Sequence, residues 1–171
     1  MLEPNDSNLI EAALDSWDRN NRILLNLLQA APASCHNARV VPTSPSVIEM
    51  FAHIIYVRLI FILEDAPESA GRAHPREWLR ETNPERLASG LDSSARAVRD
   101  AVEDRLRSGQ PMQQHYDHPL LFLQHMIWHE GYHHGQIKLA LKVAGQPLED
   151  KEIGPLTWSV WIKKTGSLNS R

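Results

Sequence analysis

Histidine is the residue this chain uses out of proportion: there are nine in 171 residues, and six of them lie between His115 and His134. Phe122, Met126, His129, His133, Gln136, Ala140 and Val143 recur at alternating +4 and +3 spacing. That is the period of a helix face turned toward a bundle centre. Two imidazoles and one amide therefore stand where apolar side chains are expected. Four residues along a helix correspond to ~40° of rotation and ~6 Å of rise, so His129 and His133 can reach a common ion. His125 is ~80° round from His133 and is expected outside that pair. Burying two imidazoles side by side is costly unless each ring nitrogen has a partner. A divalent metal accepts one lone pair from each ring and leaves the other N–H for a neighbouring acceptor. Two core histidines satisfied by side chains or water are the competing reading.

His53 adds a third imidazole. It falls on the stripe Met50, His53, Val57 and Ile60, inside an otherwise apolar run from Phe51 to Ile62. Taken alone it is equally a lone core or groove histidine. Together, His53, His129 and His133 from two facing helices would leave a coordination position open, as in catalytic rather than structural sites. Zn²⁺ is the first expectation, with Ni²⁺ and Fe²⁺ also suited to imidazole. Asn20 and Asn21 put polarity at mid-height of the first helical segment, which suits a polar layer, a register-fixing bond or plain surface. Gln136 is a candidate to orient a ligand or bound water, with a structural hydrogen bond as the plainer role. Glu130 is the nearest carboxylate in sequence, but ~100° of helix separates it from His129, which weakens a general-base role. Cys35 reads as a spare loop thiol.

His129-Glu130-Gly131-Tyr132-His133 also fits H-E-x-x-H, the zinc-peptidase signature, with Glu152 at a distance where a third ligand is sometimes found. The longer metzincin form fails, because Gln136 and Leu139 occupy its Gly and His positions. No substrate-binding sheet is evident upstream, so the peptidase reading ranks last.

The elements that must position these residues read as four helices over about 7–30, 44–64, 84–108 and 118–144, an all-α, up-and-down-type four-helix bundle with a C-terminal tail. Pro32 and Pro42 break the chain after the first helix. Ser46 and Glu49 have capping-box spacing, with Pro45 suited to a first turn. Asn83 caps the third helix ahead of Pro84 and Glu85, and Ser108-Gly109 ends it. Asp117 or His118 opens the fourth ahead of Pro119, and Gly145 closes it. The second helix is apolar on nearly every side, which predicts cover beyond its own bundle, from another subunit for instance. The tail Leu156-Thr157-Trp158-Ser159-Val160-Trp161-Ile162-Lys163-Lys164 alternates like a strand or a packed extended arm.

At 171 residues the chain reads as one domain over 1–171. With 18 Lys+Arg against 21 Asp+Glu and no long basic run, no nucleic-acid partner is expected. No stretch reaches the ~18 apolar residues of a membrane span, and the acidic start lacks a secretory pattern. One cysteine fits a reducing cytoplasm. A small-molecule substrate and a homodimer are the expected partners. Two functions stand against each other: a metalloenzyme with an open site, and a non-catalytic, metal-stabilised binding or dimerisation protein.

From His125 to Ile137 the segment reads H-x3-H-x3-H followed by His134-Gly135-Gln136-Ile137. With His53 in a second helix that follows a Ser-Pro start, it resembles the DinB/YfiT-like family of metal-binding four-helix bundles. The likeness runs over essentially the whole chain in helix order, while only the fourth-helix motif is specific. It implies His53, His129 and His133 as ligands, with His125 outside. It also implies, for related proteins, a low-molecular-weight thiol such as mycothiol or bacillithiol used in S-transfer or isomerisation, with the metal activating the thiol or a water. On that basis the expected activity is thiol-dependent S-transfer or metal-dependent hydrolysis. His134 stands where the family often has Arg, and Trp128 where it commonly has a polar residue; both bear on substrate contacts.

Overall fold

The computed structural model describes residues 4–71 and 74–162, with the side chains of residues 4–6 left aside. Four long helices carry the fold: α1 (Pro4–Ala30), α2 (Val47–Asp65), α3 (Pro84–Ser108) and α4 (Pro119–Val143). Two short helices follow, α5 (Asp150–Ile153) and α6 (Trp158–Ile162). No strand occurs among the described residues, only a single bridge between Arg39 and Ser46. None of the described helices is long and apolar enough to cross a membrane.

The boundaries follow the local chemistry. Ser46 caps α2 in a reciprocal box: its Oγ accepts from Glu49 N–H at 3.4 Å, and Glu49 Oε2 accepts from Ser46 N–H at 2.7 Å. Pro45 therefore lies just outside the helix rather than in its first turn. Asn83 Oδ1 accepts from Arg86 N–H to start α3, and Gly109, at φ +69°, ends it in the left-handed conformation that glycine tolerates. His118 is the cap of α4, its Nδ1 accepting from Leu120 N–H.

Two hydrophobic clusters reveal the chain directions. One joins Ile10, Leu14 and Trp17 of α1 to Val57 and Ile62 of α2, Ala95 and Val102 of α3, and Phe122 and Met126 of α4. The other joins Leu24 and Leu28 to Val47 and Ile55, Leu87 and Leu91, and Ile137 and Leu141. Thus α1 and α4 run one way while α2 and α3 run the other. The strict alternation of an up-and-down bundle gives way at α2–α3, because the 66–83 connection is long enough to return the chain to the end where α2 began. That connection also covers α2. Its 3₁₀ turn Pro75–Trp78 lies on the helix, and Trp78 packs so closely over Gly90 that a Cβ there would stand 2.4 Å from its ring. Much of the cover that the apolar α2 needs is therefore supplied by its own chain.

The tail is neither strand nor extended arm. Trp158–Ile162 form a short helix held to α1, where an Arg19 guanidinium N–H donates to Val160 O at 2.6 Å and Asn26 Nδ2 donates to Leu156 O at 2.6 Å. With no sheet edge to pair with, helical turns satisfy the backbone internally. Lys163 and Lys164 lie outside the described residues.

Candidate metal centre

Between the two apolar clusters sits a buried polar layer contributed by all four long helices. Arg58 and Glu130 are both 0% exposed. Arg58 Nε donates to Glu130 Oε1 at 2.6 Å and a terminal N–H to Oε2 at 2.8 Å. The same guanidinium donates to Asn21 Oδ1 and to Leu91 O, and lies over the Trp17 ring at 4.7 Å. Asn20 Nδ2 donates to Glu130 Oε2. A charge-assisted, bidentate pair of this kind fixes geometry in two directions. It sets the register of α2 against α4.

That register brings three imidazoles together. One ring nitrogen each of His53, His129 and His133 can be chosen so that all lie within 4.8 Å of one another. Ring centroids are 5.4 Å apart for His53–His129, 5.0 Å for His53–His133 and 4.5 Å for His129–His133. Nε2 of His129 and Nε2 of His133 face each other at 3.1 Å. Two nitrogens bound at ~2.0–2.1 Å to one tetrahedral ion would be ~3.3 Å apart. His133 Nδ1–H donates to Gln136 Oε1 at 2.8 Å, which leaves its Nε2 as a lone pair aimed at His129. His129 Nδ1 is buried without a partner. Three converging neutral donors, one carrying an orphaned nitrogen, fit a divalent cation with imidazole ligands.

Electrostatics favour the neutral, ligating form. Burial lowers the pKa of His53 and of His133; in His133 the Gln136 hydrogen bond partly opposes it. His129 is pushed down to about 4, first by burial and then by its neighbours His133, His53, His125 and Arg58.

The other sequence candidates fall elsewhere. Glu130 does not reach the imidazole face: both its oxygens are engaged by Arg58, one of them also by Asn20. The H-E-x-x-H spacing therefore lacks the free glutamate that a zinc peptidase needs beside its ion. Glu152 is exposed on α5 and does not belong to the histidine cluster. Cys35 is a buried free thiol packed in the core. His125 stands beside the cluster, its ring centroid 6.4 Å from that of His129, and its Nδ1 shares a hydrogen bond with the Tyr116 hydroxyl at 2.7 Å. Burial, reinforced by Asp65, raises the Tyr116 pKa to about 12, so the phenol enters that hydrogen bond with its proton in place. Tyr116 is positioned because Asp65 Oδ1 accepts from the backbone N–H of both Gln114 and His115. His134 is outside this group and lines a separate pocket with Trp158 and Trp161, its Nε2 buried and unpartnered among the described residues.

Sequence reasoning passed over Arg58. Its signal was available: a single arginine in the apolar run from Phe51 to Ile62 demands a buried anion.

A four-helix bundle crossed by a buried polar layer, with three imidazoles converging from its second and fourth helices, defines a recognisable class of protein. The family model described as the DinB superfamily matches residues 16–137, a span that contains all three histidines, and the chain belongs to that superfamily. No curated protein and no solved structure matches the chain.

Proposed function

We propose that this protein binds one divalent metal ion through His53, His129 and His133 and is a metalloenzyme with an open coordination position. The observation that carries the reading is the convergence of three ring nitrogens within 4.8 Å, from the second and fourth helices of a superfamily member. Zn²⁺ is the first expectation, with Ni²⁺ and Fe²⁺ also suited to the donors. When bound, such an ion lowers the pKa of a water or a low-molecular-weight thiol at the open position, giving a hydroxide or thiolate near neutral pH. The chain does the rest. Gln136 fixes the tautomer and orientation of His133. Arg58 and Glu130 hold α2 and α4 in register. The Tyr116–His125 pair supplies a hydrogen-bonding group beside His129. The reading predicts transfer or hydrolysis on a small molecule. It is tested by metal analysis and a thiol-conjugation assay on the wild type and on His129→Ala, which loses both metal and activity.

A second reading, a metal-stabilised dimerisation protein without turnover, is favoured by the exposed side chains of Leu121, Trp128, Tyr132, Leu139 and Val143 along α4. Unfolding with and without chelator, at several protein concentrations, separates the two.

A further inference from the structure

The chain contains only three tyrosines, and all three stand beside histidines of the cluster or beside His125. Tyr56 stacks on His53 with centroids 6.5 Å apart, Tyr116 lies 5.9 Å from His125, and Tyr132 lies 5.3 Å from His133. Trp128 lies 6.3 Å from His125 and stacks on Tyr132 at 6.4 Å with only 15° between the planes. Trp128 is 69% exposed and Tyr132 56%. Two large, nearly parallel rings left open to water next to a polar cluster are a surface for a flat apolar group.

The charge balance selects the other end of such a molecule. Three neutral imidazoles add no negative charge to a divalent ion, and the buried carboxylate next to His129 in the chain, Glu130, is already neutralised by Arg58. The loaded centre therefore carries an uncompensated double positive charge. It attracts an anionic donor atom and repels a cationic one. This disfavours the quaternary-ammonium ligands that aromatic surfaces elsewhere select.

Resting on the metal reading above, we infer that the site's substrate class is a small aromatic molecule bearing an anionic donor atom, its ring seated on Trp128 and Tyr132 and its donor at the open position. The test compares two probes with the same chelating head, benzohydroxamate and acetohydroxamate, titrated into the Co²⁺-loaded full chain. Binding is followed in every chain by the cobalt absorption bands, and in the wild type also by the change in tryptophan fluorescence. Offset stacking of the ring on two aromatic partners predicts benzohydroxamate binding about 5- to 100-fold more tightly. Trp128→Ala/Tyr132→Ala brings the two affinities together while the ligand-free cobalt spectrum stays unchanged. Equal affinities in the wild type, or a preference that survives in the double variant, overturn the inference alone. The same holds if the double variant turns a dimer into a monomer and weakens both probes alike, since the rings then belong to a subunit interface. A chain that takes up no Co²⁺ overturns the metal reading, and this inference with it.

Discussion

Nε2 of His129 and Nε2 of His133 face one another at 3.1 Å, while the far nitrogen of His133 is already committed to Gln136. The amide of Gln136 holds the second imidazole in the tautomer that exposes a lone pair to the cluster. Gln136→Leu should therefore lower metal affinity about 10- to 100-fold while leaving the helix content unchanged, as loss of a supporting hydrogen bond does elsewhere. Competitive titration against a chromophoric chelator measures it. Unaltered affinity would make Gln136 a bystander.

The Arg58–Glu130 pair should behave as a buried ion pair whose single members cannot be removed separately. Glu130→Gln is expected to cost about 3–5 kcal/mol, because Arg58 is left charged and fully buried. Arg58→Met with Glu130→Leu should cost clearly less than the sum of the two single changes. Urea unfolding of the four chains gives the coupling energy. Strict additivity would contradict the pairing.

Two glycines should respond in opposite directions. Gly90→Ala places a Cβ 2.4 Å from the Trp78 ring and 2.9 Å from Ile55 Cδ1, and is expected to destabilise by about 1–3 kcal/mol. Gly131 lies inside α4, and a methyl added there would meet nothing within 4 Å, so Gly131→Ala should stabilise by about 0.5–1 kcal/mol. Thermal melts of both variants check the pair of signs.

Metal-free protein should lose stability as the medium is acidified below the range of an ordinary histidine. His129 titrates at about 4 when folded, against ~6.5 in an unfolded chain. Between those values the unfolded state binds the extra proton, so stability rises with pH across this window and levels off above it. His53, His133 and His134, also lowered by burial, act in the same direction. Urea midpoints in the presence of chelator should therefore fall from pH 7.5 to pH 4.5. A flat profile would show that these rings are not desolvated.

Much of the architecture was legible because its signals are local. The capping box at Ser46, Asn83 ahead of Pro84, and Gly109 each announce a helix end through chemistry confined to a few residues. His129 and His133 are legible for the same reason: neighbours four apart on one helix share a face whatever the rest of the chain does. His53 was visible only as a polar break in an apolar stripe, and its meeting with α4 depends on packing. What stayed hidden depends on long connections. The parallel run of α2 and α3 is decided by the 66–83 segment, which has no periodicity to read. Tyr116 reaches His125 from a loop pinned by Asp65, a bond that no spacing rule encodes. In the tail, Trp158 and Trp161 are three apart, a spacing that lies on one face of a helix, and this stretch is too short for its alternation to decide between helix and strand.

The central claim is that three imidazoles from two helices hold one ion, and metal content tests it most directly. Purified wild-type protein, supplemented with Zn²⁺ and dialysed, should retain about one ion per chain by elemental analysis, as a tightly held three-histidine site does. His129→Ala and His53→Ala, shown folded by circular dichroism, should retain far less. Equal metal in all three chains, or none in any, would contradict the account.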